Sequence, residues 1–122
     1  MTQTVQRTSS LVLVVEDDVA TRLAMARLVR MCGHKALLAE TVSEGLLQLA
    51  HNPTHVFLDM NLPDGKGTTI LLHIRANGMT TQVAVISDTD DHHLLEEARS
   101  LLADVIFSKP ADADAVMAWI NS

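Results

Sequence analysis

The sequence predicts a doubly wound α/β domain: a five-stranded parallel sheet with helices on both faces. Three observations carry this. Short runs rich in Val, Ile and Leu recur at 11–15, 56–58, 83–86 and 105–107; segments of helical periodicity alternate with them; and each run ends in polar residues, Glu16-Asp17-Asp18, Asp59, Ser87 and Ser108-Lys109-Pro110. Parallel strands need crossovers, and crossovers of this length are right-handed connections through a helix.

Residues 1–10 read as a flexible lead-in and residues 11–122 as one domain. Leu11 to Val15 forms the first strand. Asp18 caps a helix through Val19 to Cys32, with Leu23, Ala26, Leu28 and Val29 toward its apolar side and Gly33 taking the left-handed turn at its end. His34 to Ala39 is a second, mixed strand. Thr41-Val42-Ser43-Glu44 matches a capping box, so a helix runs to His51, where Asn52-Pro53 stops it. The third strand, Val56 to Asp59, empties into a loop of turn-formers at 61–67, in which Asp64-Gly65 is most simply a turn. Thr68 to Ala76 is helical and closes at Asn77-Gly78. Gln82 to Ser87 is the fourth strand, Asp90 or Asp91 caps a helix through Leu102, Asp104 to Lys109 is the fifth strand, and Asp112 to Ile120 is the last helix.

Composition narrows the function classes. A formal charge of −6 with no basic stripe argues against direct nucleic-acid binding. One cysteine, Cys32, excludes an internal disulfide and reads as a small apolar residue near a helix end. No apolar stretch reaches membrane-spanning length and residues 1–10 lack a signal-peptide core, so the expected location is the cytoplasm. His51 and His55 are four apart, but Pro53 breaks the helix that would align them as metal ligands. His92-His93 belongs in an exposed first turn, and the six methionines read as core fillers.

In an open α/β sheet, ligands bind outside the carboxyl ends of the strands. Those ends carry Glu16-Asp17-Asp18, Asp59, Ser87 and Lys109. Glu16, Asp17 and Asp59 make a hard, oxygen-rich site suited to Mg²⁺, whereas Asp18 is better read as a cap. A carboxylate beside a divalent cation can attack phosphorus, with Lys109 as a point charge and Ser87 as a hydroxyl donor holding the phosphoryl oxygens.

From Leu11 to Ile120 the chain resembles the receiver domain of bacterial two-component response regulators, a flavodoxin-like fold. The matching fragments are Val14-Val15-Glu16-Asp17-Asp18, the run from Leu58 to Gly65, Val85-Ile86-Ser87 and Ser108-Lys109-Pro110. Four fragments in order at the proper strand ends are specific where each alone is weak. The resemblance implies that Asp59 is the phosphoacceptor, Asp17 a direct metal ligand, Glu16 a metal-site acid acting through water, and Asn61 a ligand through its backbone carbonyl. It further implies Ser87 as the switch hydroxyl, Lys109 as the phosphate partner, and a cis Lys109-Pro110 bond. The implied activity is acceptance of a phosphoryl group from a histidine kinase or phosphotransfer protein. Such a chain catalyses only its own phosphorylation and dephosphorylation. The phosphate would bias a surface around the fourth helix, fifth strand and fifth helix toward an output partner, effector domain or phosphorylation-dependent dimer.

Four positions depart from that family's pattern: Asp88 follows the switch hydroxyl, Ile106 stands at the usual aromatic of the switch surface, Leu102 replaces a glycine, and Ala111 follows Lys-Pro. Rival readings fit less well. A flavodoxin needs a phosphate loop after the first strand and aromatics against the flavin. A haloacid-dehalogenase phosphatase places its nucleophile motif on the first strand, and the complete set of acids, hydroxyl and lysine counts against a pseudo-receiver. The alternative to a signalling switch is a phosphate sink or a pseudo-receiver interaction module.

Overall fold

The computed structural model describes residues 9–88 and 92–122. Residues 1–8 of the expected lead-in and both expected caps, Asp90 and Asp91, lie outside the described residues. The order is β1 Leu11–Val15, α1 Val19–Met31, β2 Lys35–Ala39, α2 Val42–Gln48 with a 3₁₀ turn at Leu49–His51, and β3 His55–Asp59. There follow β4 Asn61–Leu62, β5 Gly65–Lys66, α3 Thr68–Ala76, β6 Gln82–Ser87, α4 His92–Ser100, β7 Val105–Ser108 and α5 Ala113–Ile120.

The main sheet has five strands in the order β2-β1-β3-β6-β7, every pair parallel. Its register sets Val15 beside Leu58, Asp59 beside Ile86 and Ser87 beside Ser108, so the polar strand ends share one edge. Alternation along β1 feeds both faces. Leu13 and Val15 join Leu49, Ile70, Leu71 and Ile74 under α2 and α3, while Val12 and Val14 join Met25, Val29, Val116 and Ile120 under α1 and α5. Met60 and Val85 form a smaller cluster with Leu94 and Ala98 of α4.

Loop chemistry refines several expectations. Three helices end in the same motif, in which two successive N–H groups turn back to the final carbonyls. The bonds are Gly33 to Arg30 and His34 to Val29 after α1, Gly78 to Arg75 and Met79 to Ile74 after α3, and Leu102 to Arg99 and Ala103 to Ala98 after α4. The motif needs a left-handed residue, supplied by Gly33 (φ 82°), Gly78 (φ 64°) and, against steric preference, Leu102 (φ 62°). At α2, Thr41 accepts from the Glu44 N–H at 3.0 Å, but Glu44 bonds the Glu40 N–H at 2.9 Å, one residue before the usual partner.

Asp64 does more than turn the chain. Its carboxylate accepts from the Val42 N–H at 2.7 Å, the Ser43 N–H at 3.0 Å and the Ser43 hydroxyl at 3.0 Å, capping α2 from a distant loop. These bonds hold its carboxyl below the usual aspartate range. The flanking residues pair as the antiparallel β4–β5 ribbon within the expected loop.

Leu23 is a correction. It is 54% exposed, and the adjacent Arg22 takes the inward position. At the opposite edge of the sheet, His34 Nδ1 accepts from the Ser10 N–H at 2.9 Å, which leaves Nε2–H to donate to Asn121 Oδ1 at 2.9 Å.

Candidate functional site

The edge formed by the ends of β1, β3, β6 and β7 opens into a cleft of about 380 Å³ lined by Glu16, Asp17, Asp59, Asn61, Asp88 and Lys109, with Asp18 and Thr21 at its rim. Glu16, Asp59 and Ser87 are buried, at 4%, 6% and 6% exposure, whereas Asp17 is exposed. One carboxylate oxygen from each of Glu16, Asp17 and Asp59 falls within 4.8 Å of the others. Lys109 reaches in from the end of β7, its Nζ 2.6 Å from Glu16 Oε1 and 3.5 Å from Asp59 Oδ2. The Lys109-Pro110 peptide is cis.

Burial and crowding set the protonation of this cluster. Asp59 is pushed up to about 7 by burial, then by its hydrogen bond to the Glu16 carboxyl and by the Glu16 charge; Lys109 and the Asn61 N–H, 3.4 Å from Oδ1, pull the other way. Glu16 moves down. Burial alone would raise it, but bonds to Asp59, Lys109 and the Asp18 N–H at 3.2 Å prevail. Burial likewise opposes the charge on Lys109, yet Glu16 and Asp59 hold its pKa above the ordinary lysine value. The opposite shifts mean that a proton taken up by this pair resides on Asp59 rather than Glu16, and a divalent cation competes with it.

The donor set fits Mg²⁺: all oxygen, anionic, and open to water on one side. Asp18 is a cap, accepting from the Thr21 N–H at 2.9 Å and the Thr21 hydroxyl at 2.7 Å, and these two bonds lower its pKa. Asn61 begins β4, paired with Lys66. Ile106 is half-buried against the cluster under α4, one strand position before Phe107.

Sequence reasoning missed two supports. Arg22, 9% exposed, donates from Nη1 to the carbonyls of Glu16 at 3.0 Å and Asp17 at 3.3 Å, and from Nη2 to Glu40 at 2.8 Å. Gly67 donates to the Met60 carbonyl at 2.8 Å, and a Cβ there would overlap the Asp59 carbonyl. A charged residue at helical spacing from the loop acids was the only available sign of the first; the second had none beyond glycine itself.

His55 lies outside the site. It is buried edge-on to Trp119, with centroids 4.8 Å apart. Thr54 Oγ1 donates to the Leu11 carbonyl and therefore accepts from His55 Nδ1–H. Burial, followed by the neighbouring His34, depresses its pKa.

Known proteins share this sequence pattern and fold. The acid tolerance regulatory protein ActR of Rhizobium meliloti is 32% identical over 87% of this chain and 55% of its own length. The transcriptional regulatory protein PhoP of Escherichia coli is 30% identical over 91% of this chain and 50% of its own. The chain thus spans about half the length of these curated relatives. Among solved structures, a CheY-like receiver domain protein from Methanospirillum hungatei superposes with a TM-score of 0.86 at 21% identity, covering 93% of this chain and 92% of that one. A CheY-like receiver domain from Methylobacillus flagellatus gives 0.82 at 26% identity, covering 93% and 98%. Residues 12–121 match the response regulator receiver domain, a signalling domain whose family function is phosphoryl acceptance, and the chain belongs to that family.

Proposed function

We propose that Asp59 is the phosphoacceptor of this receiver domain, taking its phosphoryl group from a phosphohistidine on a partner kinase or phosphotransfer protein. The observation that carries the assignment is a buried carboxylate at a strand end, within 4.8 Å of two further acids and 3.5 Å from an ammonium. In the transfer, an Asp59 oxygen forms the new bond to phosphorus, the phosphorus–nitrogen bond breaks, and the imidazole keeps the electron pair and acquires a proton.

Glu16, Asp17 and Asp59, with the Asn61 backbone carbonyl, would hold Mg²⁺. Bound there, Mg²⁺ supplies charge neutralisation for the phosphoryl oxygens. Lys109 exchanges its bond to Glu16 for one to the transferred group, and Ser87, beside Ser108 on the neighbouring strand, offers its hydroxyl. Ser87 moving toward the phosphate would then bias α4, β7 and α5, with Ile106 in place of an aromatic.

Incubation with acetyl phosphate and Mg²⁺ tests the assignment. One hydroxylamine-labile phosphoryl mass is expected on the parent and none on Asp59→Asn. Equal labelling of that variant would reject Asp59 as the acceptor.

A further inference from the structure

The two loops that carry the oxygen ligands meet directly through the Asp59–Glu16 contact and the pairing of β1 with β3, and a second route also links them. Glu16 and Asp17 follow β1, and Asp59 and Asn61 lie around the end of β3, yet side-chain hydrogen bonds connect the two through the start of α2. Arg22 holds the Glu16 and Asp17 carbonyls and forks to Glu40. The Glu40 N–H is fixed by Glu44 in the first turn of α2. The same turn is gripped at Val42 and Ser43 by Asp64, which belongs to the segment leaving β3. The path therefore runs from one ligand loop to the other through Arg22, Glu40, Glu44 and Asp64, none of which lines the cleft.

We propose that Arg22 and Asp64 are positioning residues which, acting through the N-terminus of α2, set the spacing of the two ligand loops and hence the affinity for a divalent cation. The proposal rests on the reading of this cleft as a Mg²⁺ site. A planar guanidinium suits the Arg22 role because it bonds two carbonyls and a carboxylate at once, which a lysine ammonium on a flexible stem cannot reproduce in that geometry. Charge works in the opposite direction. Removing a cation near the acids would by itself strengthen Mg²⁺ binding, so Arg22→Lys, which keeps the charge and loses the fork, isolates the geometric effect.

The test is Mg²⁺ titration followed by amide chemical shifts, with folding stability measured separately by urea in EDTA. Loss of an outer support to a metal ligand typically costs 10–100-fold in affinity, so Arg22→Lys is expected to raise the Mg²⁺ Kd about 10-fold, and Asp64→Ala to raise it by a similar factor. Because both break one chain of bonds, the double variant should raise Kd by clearly less than the product of the single effects. Glu40 is half exposed, so Glu40→Gln leaves folding unthreatened and should raise Kd by about two-fold. An unchanged Kd in Arg22→Lys overturns the proposal. So does a lower urea midpoint with unchanged Mg²⁺ binding, or full multiplicativity in the double variant. Should Arg22→Lys fail to fold, an unchanged Kd in both Glu40→Gln and Asp64→Ala overturns it instead. A parent chain that does not bind Mg²⁺ rejects the metal-site reading and this proposal together, whereas a parent that binds normally beside unaffected variants rejects only the positioning role.

Discussion

Replacing Asp59 by Asn should stabilise the metal-free fold, and by more at pH 8 than at pH 5. The reason is the buried pair: Asp59 is 6% exposed, and its pKa is pushed up to about 7 from an ordinary 3.8. An acid whose folded pKa is raised favours folding fully below its unfolded pKa, and that contribution is lost as pH rises through the folded value. Here the loss begins near 3.8 and is complete somewhat above 7. At 1.36 kcal/mol per tenfold change in proton affinity, the ceiling is about 4 kcal/mol. Glu16, whose own pKa is lowered within the same pair, returns part of this, so we expect about 2 kcal/mol at pH 8 and less than about 1 kcal/mol at pH 5. An Asn amide can still donate to Glu16, so the hydrogen bond survives the exchange. The assay is urea unfolding in EDTA followed by the fluorescence of Trp119, the single tryptophan. His55 has the opposite dependence. Its depressed pKa contributes stability that is present above the unfolded histidine value and lost as pH falls through the folded one, so only the difference between parent and variant is diagnostic. Mg²⁺ at about 100 times its Kd should return about 2.7 kcal/mol to the parent and close the gap. A gain that does not vary with pH, or an Asn variant less stable at pH 8, would refute the reasoning.

Three further outcomes are expected. Leu102→Gly should stabilise the fold by about 0.5–1 kcal/mol in the same urea assay, because Leu102 is 70% exposed and held at φ 62°, where leucine loses more to strain than glycine loses to chain entropy. Gly67→Ala should cost about 2–3 kcal/mol and slow labelling by acetyl phosphate, since its Cβ would displace the Asp59 backbone. Ser87→Ala should keep labelling at Asp59 but lose most beryllofluoride-induced amide shifts along α4 and β7, while Ile106→Tyr changes their amplitude without creating them. A full distal response in Ser87→Ala would detach that hydroxyl from the switch.

The strands were legible because buried parallel strands are written as continuous aliphatic runs, and Val12 to Val15 and Val56 to Leu58 have both faces covered. That pattern also located the acids, since a polar residue ending such a run must emerge at the sheet edge. Less could be read where a residue's partner is remote in sequence. Arg22 takes the inward place expected of its neighbour Leu23 because the guanidinium finds carbonyls and a carboxylate there, a matter of tertiary geometry rather than periodicity. Asp64 has the composition of a turn, but its bonds go to residues 21 and 22 positions earlier. The two-residue strands β4 and β5 are too short to show alternation, and Leu102 carries no turn signal at all. Within the site, the lysine and acids were legible as a set, whereas the tighter contact of Lys109 with Glu16 than with Asp59 depends on where a cleft closes.

The imidazole of His34 spans from Ser10 to Asn121, so the chain enters and leaves the domain at one corner, below the sheet edge where strands begin. Acids and lysine stand at the other edge, a strand length of about 15 Å away. A fluorophore attached beside Ser10 or Asn121 would therefore sit at the strand-start edge, away from the cleft. The same proximity makes Ser10 and Asn121 the natural points to join in a circular permutant: a short linker across one side chain's reach would span them, and new ends could be cut at an exposed turn without altering which strand lies beside which.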